Sequence, residues 1–294
     1  MKISITKRYS SIPQFRRYTR SRMGNFFYFA FLTVFGMFSV LPLFYSVVTS
    51  FKPIDELLVF PPKFYVQRPT FANYLDIPAL LSNLDVPLSR YIFNSLFVCV
   101  ISTALNVIIS AMAAFVLSKG TIKGRKVIFW IVQVALLFNA YTLQIPQYVV
   151  ISKLHIVDTY WAYILPSLAS TMGVFLMKQY MEGYIPYELI ESAKIDGAGF
   201  QRIFWSIIMP IVKPAWLTLV LFAFQGIWAT SPQTIFTEKL KSLPMIMSQI
   251  TAGGIARQGS AMAVSVILMI PPILVYMISQ SNVMQTMSSA GIKG

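Results

Sequence analysis

The segment PYELIESAKIDGAGFQRIFWSIIMPIVKP, from Pro186 to Pro214, places charges and turn residues within an otherwise strongly apolar chain. Pro186 suits a helix start, because the N–H that proline lacks would have no partner there. Glu188 and Glu191 follow early and Lys194 late, which is the order of charges that the helix dipole favours. The segment therefore predicts a short amphipathic helix beginning at Pro186.

The run Asp196-Gly197-Ala198-Gly199 predicts the end of this helix, because glycine tolerates the left-handed conformation found just past a helix C-terminus. Leu189 and Ala193, four residues apart, form one narrow face of small and apolar side chains. A second amphipathic helix is predicted next. Its apolar face is formed by Phe200, Ile203, Phe204, Ile207 and Ile211. These residues alone leave two interpretations open, a polar loop between membrane spans or a contact surface for another protein.

The segment resembles the cytoplasmic loop of the permease subunits of binding-protein-dependent ABC importers, where Glu-Ala-Ala and Asp-Gly-Ala are followed by Leu-Pro. The matching residues here are Glu191-Ser192-Ala193, Asp196-Gly197-Ala198 and Met209-Pro210, so serine replaces one alanine and methionine the leucine. The resemblance implies that the loop, residues 183–214, holds a coupling helix that docks into a cleft of the ATP-hydrolysing subunit. It assigns this contact to Glu188, Glu191, Ser192, Ala193, Asp196, Gly197, Ala198 and Pro210.

Composition indicates an integral membrane protein, since 56% of the 294 residues are hydrophobic and 12% are charged, with a mean hydropathy of +0.65. Six apolar stretches approach the ~20 residues that cross a bilayer core. They are residues 26–50, 91–117, 127–150, 160–181, 215–231 and 262–279. The predicted fold is therefore all-α and polytopic, with six transmembrane helices, and the resemblance implies a type I importer permease.

Basic residues predict the orientation. With the N-terminus inside, the cytoplasmic segments hold sixteen of the twenty-four lysines and arginines, as the positive-inside rule expects. Both termini and the loop 183–214 then face the cytoplasm of a bacterial cell. Residues 1–24 form a basic cytoplasmic tail, interpreted as a topological anchor or as an arm for lipid or a partner, and residues 25–294 form the permease domain. The resemblance implies that the external loop 51–90 meets an extracellular solute-binding protein; the stretch 232–261 does the same or caps the bundle.

The sequence offers no catalytic or metal site. It contains no phosphate-binding Gly-rich loop, no His-Glu-x-x-His and no Gly-x-Ser-x-Gly, and His155 is the sole histidine. The basic residues that give the net charge of +14 lie beside apolar spans, which is not the pattern of a nucleic-acid-binding protein. The predicted spans lack Asp, Glu and His, which disfavours proton coupling but leaves sodium coupling open. No cofactor is expected on this chain, and the resemblance puts ATP and Mg²⁺ on partner ATPase subunits.

Four further features extend the resemblance to carbohydrate-importer permeases from about residue 25 to the C-terminus. They are Phe51-Lys52-Pro53, Asn94-Ser95, the basic residues at Lys123–Lys126 and the final Gly-Ile-Lys-Gly. The resemblance implies that this chain and a homologous second permease form the pathway for an oligosaccharide. The alternatives are an importer for a polyol, phosphodiester or peptide, and a stand-alone channel or structural membrane protein.

Neutral amides and aromatic rings suit the hydroxyls and C–H faces of a sugar. The candidate contacts are Asn94, Asn139, Tyr141, Gln144, Gln225 and Trp228. Each of them equally fits a hydrogen bond between helices or an interfacial anchor. A stripe of small and polar residues in the second span predicts close helix packing, or else the lining of a pathway. It consists of Ser102, Asn106, Ser110 and Ala114.

Overall fold

The computed structural model describes residues 22–82, 86–138, 140–232, 234–254 and 257–290, and the regular structure in these ranges is entirely helical. The chain divides into two compact units, Met1–Tyr45 and Ser46–Gly294. In the first unit the described part is helix α1 (Arg22–Ser50), which runs on into the second unit. Most large apolar side chains of α1 are exposed, as expected of a helix that faces lipid. Residues 1–21 of the predicted tail lie outside the described residues.

The second unit contains the remaining helices. They are α2 (Ile54–Leu57), α3 (Ala72–Ser82), α4 (Leu88–Lys119), α5 (Arg125–Ala135), α6 (Gln144–Lys153), α7 (Trp161–Leu168), α8 (Thr171–Tyr184), α9 (Tyr187–Ile195), α10 (Phe200–Arg202), α11 (Met209–Ile211), α12 (Lys213–Trp228), α13 (Leu243–Thr251) and α14 (Gln258–Ala290). A π-helical segment, Ile203–Ile208, joins α10 to α11. The loop 51–90, predicted to be external, contains α2 and α3.

Within the described ranges three helices are long and apolar enough to cross a membrane: Met23–Ser50, Leu88–Lys119 and Gln258–Gln280. They match the first, second and sixth predicted spans. A fourth crossing is available if Phe200–Ile211 and Lys213–Trp228, which are bent by 82° at Val212, act together. The third and fourth predicted spans are each divided, into α5 and α6 and into α7 and α8. The count of six spans stays a prediction.

The division of the fourth span is compensated by neighbouring side chains. Pro166 lies inside α7, and the amide of Asn106 donates a 2.5 Å hydrogen bond to the Ser167 carbonyl oxygen at the end of that helix. Ser170 then caps α8 by accepting from the Gly173 N–H at 3.0 Å. The carbonyl groups at the end of a helix have no partner within it, and here the Asn106 amide satisfies one of them.

Helices α4 and α8 approach each other closely. The predicted stripe on α4 is buried in full, and a Cβ atom added to Gly173 of α8 would lie 2.5 Å from the Ser110 Oγ atom. Only glycine fits there, which confirms the close packing predicted for the stripe. The main apolar cluster adjoins this contact and is built from α4, α8, α9, the π-helical segment and α12.

Candidate functional site

Helix α9 begins and ends where the sequence predicts. Pro186 precedes it with extended backbone angles, φ −68° and ψ 151°. Gly197 has φ +78°, and the N–H groups of Ala198 and Gly197 bond to the carbonyl oxygens of Ala193 and Lys194 at 2.9 and 3.0 Å. This pair of hydrogen bonds is a Schellman motif with glycine at its left-handed position. Gly197 therefore turns the chain sharply out of α9.

The predicted apolar face of the second helix is partly wrong. Ile203 and Phe204 are buried, but Ile208 is buried with them, while Phe200 and Ile211 are half-exposed. The wider π-helical turn displaces the register, so residues five apart share a face. The sequence signal for this turn is Pro210, which cannot donate to the Ser206 carbonyl group and would clash with it in a regular α-helix.

The rear face of α9 is attached to the bundle. Ile190 and Ala193 are buried at 5% and 7% exposure. Both belong to the cluster that includes Ala111 of α4, Met181 of α8 and Ala215 of α12. In this structure the small side chain of Ala193 is covered by this chain's own helices, and its size allows α9 to lie close against the bundle. The assignment of Ala193 to a docking contact stays a prediction.

The opposite face of α9 is open to solvent. Glu188, Glu191, Ser192 and Asp196 are exposed, and Ile195 is 86% exposed. The three carboxylates form no ion pair with any described residue, although Lys194 is near in sequence. Pro210 is also exposed. An acidic surface that ends in an uncovered isoleucine suits a partner offering cations around an apolar pocket.

Tyr187, the first residue of α9, was not singled out from the sequence. Its hydroxyl donates to the Ser118 carbonyl oxygen at 2.9 Å, and the Lys119 ammonium lies 4.3 Å from the centre of its ring. Arg125 donates to the Gly120 carbonyl oxygen at 3.0 Å and to the Tyr187 hydroxyl at 3.4 Å. Tyr187 thus joins the start of α9 to the end of α4, a contact 69 residues apart along the chain that local patterns do not predict.

Asn94 does not present its amide to a pathway. It is fully buried, and its Nδ2 donates to the carbonyl oxygens of Lys239 and Lys241, each at 2.9 Å. Its Oδ1 accepts from the Tyr160 hydroxyl at 2.8 Å. With all of these groups paired, Asn94 fixes the segment between α12 and α13 against α4 in this structure. The sugar contact at Asn94 stays a prediction.

Trp228 is likewise a packing residue. It is 7% exposed, it stacks on Phe224 with ring centres 5.8 Å apart, and its Nε1 donates to the Leu268 carbonyl oxygen of α14 at 3.0 Å. The sugar contact at Trp228 likewise stays a prediction. Gln144 and Gln225 are exposed. Asn139 and the side chain of Tyr141 lie outside the described residues.

A second polar clamp holds the segment between α12 and α13. Asp158, in the turn before α7, accepts hydrogen bonds from the Phe236 N–H at 3.0 Å, from the Thr237 N–H at 2.9 Å and from the Thr237 hydroxyl. Partial desolvation opposes their effect, but these hydrogen bonds hold the pKa of the Asp158 carboxyl below its usual value. The ionised carboxylate therefore stabilises this segment.

Comparison with known proteins places these features in context. Residues 101–289 match the family described as "Binding-protein-dependent transport system inner membrane component". The chain is 29% identical to the polygalacturonan/rhamnogalacturonan transport system permease protein YtcP of Bacillus subtilis, over 94% of this chain and 100% of that one. It is 30% identical to protein LplC of the same species, over 90% and 92% of the two chains.

A solved structure shares the fold. A chain from a bacterial ABC transporter that imports the acidic polysaccharide alginate superposes with a TM-score of 0.73 at 23% identity, covering 89% of this chain and 98% of that chain. The helical architecture described above is thus that of an ABC importer component.

Proposed function

The chain belongs to the family of binding-protein-dependent transport system inner membrane components, and from this we propose that it is a permease subunit of a bacterial ATP-driven importer for an oligosaccharide. In this proposal it forms the pathway with a homologous second permease. A solute-binding protein delivers the cargo from outside, and a pair of ATPase subunits supplies the energy. This chain is a transport subunit, and ATP and Mg²⁺ bind to the ATPases.

The cargo class is supported by the proteins that this chain resembles. YtcP is named for the transport of polygalacturonan and rhamnogalacturonan, and the structural neighbour imports alginate. An oligosaccharide is therefore favoured over a polyol, a phosphodiester or a peptide. The candidates for contacts with it stay Asn94, Asn139, Tyr141, Gln144, Gln225 and Trp228. Of these, Asn94 and Trp228 already have hydrogen-bond partners within this chain.

One observation supports ATP coupling above the others: α9 is exposed and acidic on one face and buried on the other. We propose that the exposed residues Glu188, Glu191, Ser192 and Asp196 contact the ATPase, with Pro210 at the edge of the same surface. Gly197 and Ala198 shape the turn that ends the helix. Because Ile190 and Ala193 share a cluster with α4, α8 and α12, a displacement of α9 moves those helices with it.

The proposed membrane topology follows from the same assignment. An ATPase works in the cytoplasm, so α9 and the loop 183–214 face inward. With six crossings, both termini are cytoplasmic, residues 1–24 form a basic tail, and the loops 51–90 and 232–261 lie outside. The paired halves α5 with α6 and α7 with α8 then each serve as one interrupted crossing.

Reconstitution tests the proposal directly. The assembled complex is placed in proteoliposomes with ATP enclosed at the ATPase side, and uptake of a labelled oligosaccharide is followed with and without the solute-binding protein. We expect uptake only when the ATPases, ATP and the solute-binding protein are all present. Solute transport by the purified chain alone, without ATP, would establish a stand-alone channel instead.

A further inference from the structure

An arginine near the predicted external end of the bundle is held entirely by neutral groups. Arg90, in the first turn of α4, donates from Nε to the Lys239 carbonyl oxygen and from Nη2 to the Tyr160 hydroxyl, both at 3.3 Å. Guanidinium carries five N–H donors in a rigid plane. Two hydrogens on Nη1 and one on Nη2 therefore have no acceptor among the described residues. These adjacent donors form the fork that binds a carboxylate through two parallel hydrogen bonds.

A second exposed cation belongs to the residue that Arg90 contacts. The Lys239 carbonyl oxygen accepts from Arg90, and the Lys239 side chain is exposed and forms no ion pair with any described acid. The adjacent carboxylate, Glu238, is already bound by the Lys241 ammonium and approached by the Tyr91 hydroxyl at 3.5 Å. Within the described residues neither Arg90 nor Lys239 is paired with a carboxylate, and two such cations attract an anion from outside the chain.

Aromatic rings extend away from the arginine along α4. The Arg90 guanidinium carbon is 5.8 Å from the Phe93 ring centre, and the Phe93 and Phe97 rings stack with centres 5.7 Å apart. Tyr160 meets Phe97 edge-on at 5.4 Å. Phe93 and Phe97 are 53% and 38% exposed. Exposed ring faces beside a charged fork offer a sugar both a stacking surface for its C–H face and a partner for a carboxylate.

We infer that Arg90 and Lys239 form an anion-binding site for the carboxylate of an acidic oligosaccharide, with Phe93 and Phe97 stacking against its sugar rings. This inference rests on the proposed function and narrows its cargo to sugars of the uronic acid type. A neutral sugar has no group that replaces a carboxylate in the Arg90 fork. The site then discriminates acidic from neutral sugars because Lys239 and Tyr160 hold the Arg90 guanidinium in position before the carboxylate binds.

The test uses the whole importer complex in nanodiscs of zwitterionic lipid, without the solute-binding protein, so that anionic lipid and the delivery protein do not contribute. The probes are a trimer of galacturonate and the same trimer as its methyl ester, which keeps the rings but lacks the charge. Binding is measured by ligand-detected NMR. We expect the acidic trimer to bind the native complex at least about tenfold more tightly than the ester, the scale of a charge-assisted hydrogen-bonded pair.

Substitution distinguishes recognition from packing. The double substitution Arg90→Gln, Lys239→Gln is expected to weaken binding of the acidic trimer about tenfold and to leave binding of the ester unchanged. The affinity of the Arg90→Lys variant for the acidic trimer is expected to lie between those of the native complex and the double variant, since an ammonium keeps the charge but not the fork. The matched control is Arg68→Gln, an exposed external arginine that is already paired with Asp55; it should bind like the native complex.

Four results overturn the inference. They are equal binding of acid and ester, no binding of the acidic trimer, native affinity in the Arg90→Gln, Lys239→Gln variant, and equal weakening of both probes in that variant, which would assign Arg90 to packing. Uptake of a neutral oligosaccharide by the same importer would then leave the proposed function standing. Failure to transport any oligosaccharide would instead refute that function.

Discussion

The hydroxyl oxygen of Tyr187 lies 2.9 Å from the carbonyl oxygen of Ser118 and donates its proton to it. Ser118 is in the last turn of α4, where carbonyl groups have no partner within the helix, and Tyr187 opens α9. If α9 is the surface that an ATPase moves, this hydrogen bond is a direct path by which the motion reaches α4. The apolar cluster also joins α9 to α4, so this hydrogen bond can be removed without unfolding the bundle.

Tyr187→Phe removes this hydrogen bond and keeps the ring under the Lys119 ammonium. A single hydrogen bond contributes about 1 kcal/mol, so we expect the complex to remain assembled while the oligosaccharide transported per ATP hydrolysed falls several-fold. The measurement is uptake and ATP hydrolysis in the same proteoliposomes. Tyr65→Phe, on the exposed external loop, is the control. An unchanged ratio of uptake to hydrolysis would exclude the path through Ser118.

Glu191→Lys reverses a charge on the exposed face of α9. Exposed substitutions usually change stability by less than about 0.5 kcal/mol, so we expect normal insertion but loss of the ATPase subunits on purification. Glu191→Gln, which removes the charge and keeps the shape, should retain part of the association. Co-purification quantified on a gel checks both variants. Full recovery of the ATPases with Glu191→Lys would refute docking at this face.

Gly197→Ala is expected to destabilise the end of α9 by about 1 kcal/mol, because a Cβ atom disfavours the left-handed backbone at φ +78°. The control is Gly199→Ala in the same turn. Gly199 has an ordinary φ of −70°, and an added Cβ meets no atom within 4 Å at either position. Thermal unfolding in detergent compares the two. Equal melting temperatures for both variants would show that the left-handed turn is not needed.

Asn94→Leu separates a structural role from a cargo contact. The substitution leaves the Lys241 carbonyl oxygen without its Asn94 donor and the Tyr160 hydroxyl without its Asn94 acceptor, and each buried unpaired group costs about 1–3 kcal/mol. We expect a lower melting temperature, with the affinity for a neutral oligosaccharide per folded molecule unchanged. Gln225→Leu, whose side chain is exposed, should not alter stability. A variant of Asn94 that melts normally but binds a neutral oligosaccharide weakly would support the predicted sugar contact.

Asp158→Asn tests the charge in the external clamp, because asparagine also tolerates the positive φ of 57° at this position. A carboxyl whose native pKa is lowered stabilises the fold above its unfolded pKa and loses that contribution as the pH falls through the native pKa. We therefore expect the variant to melt below the native protein at pH 7. The difference should shrink as the pH falls below about 4 and vanish below the native pKa. A difference in melting temperature that persists at acid pH would show that packing, and not the carboxylate charge, causes it.

Local signals in the sequence predicted α9 well and its surroundings poorly. Pro186 and Gly197 fix the two ends of the helix through backbone preferences that need no tertiary contact. The burial of Ala193 depends on α4, α8 and α12, and its small size is compatible with a partner's groove or with the chain's own core. Ile208 is buried because the π-helical turn before Pro210 does not follow the 3.6-residue period from which the apolar face was predicted.

The partners of the candidate cargo residues could not be predicted for a related reason. Asn94 and Trp228 were selected by side-chain type, but their acceptors are carbonyl groups of Lys239 and Leu268, which lie 145 and 40 residues away. Backbone carbonyl groups occur at every residue, so composition says nothing about which one an amide or indole reaches. Arg90 was not selected, because only the surrounding geometry shows that several of its donors have no acceptor among the described residues.

Helix α4 runs without interruption for 32 residues, about 48 Å at 1.5 Å per residue. Ser118, which holds Tyr187, stands at one end, and Arg90 stands at the other. Gly173 holds α8 in close contact with Ser110 between these two ends. If an ATPase displaces α9 as proposed, this continuous helix would therefore carry the tilt from its Ser118 end to its Arg90 end.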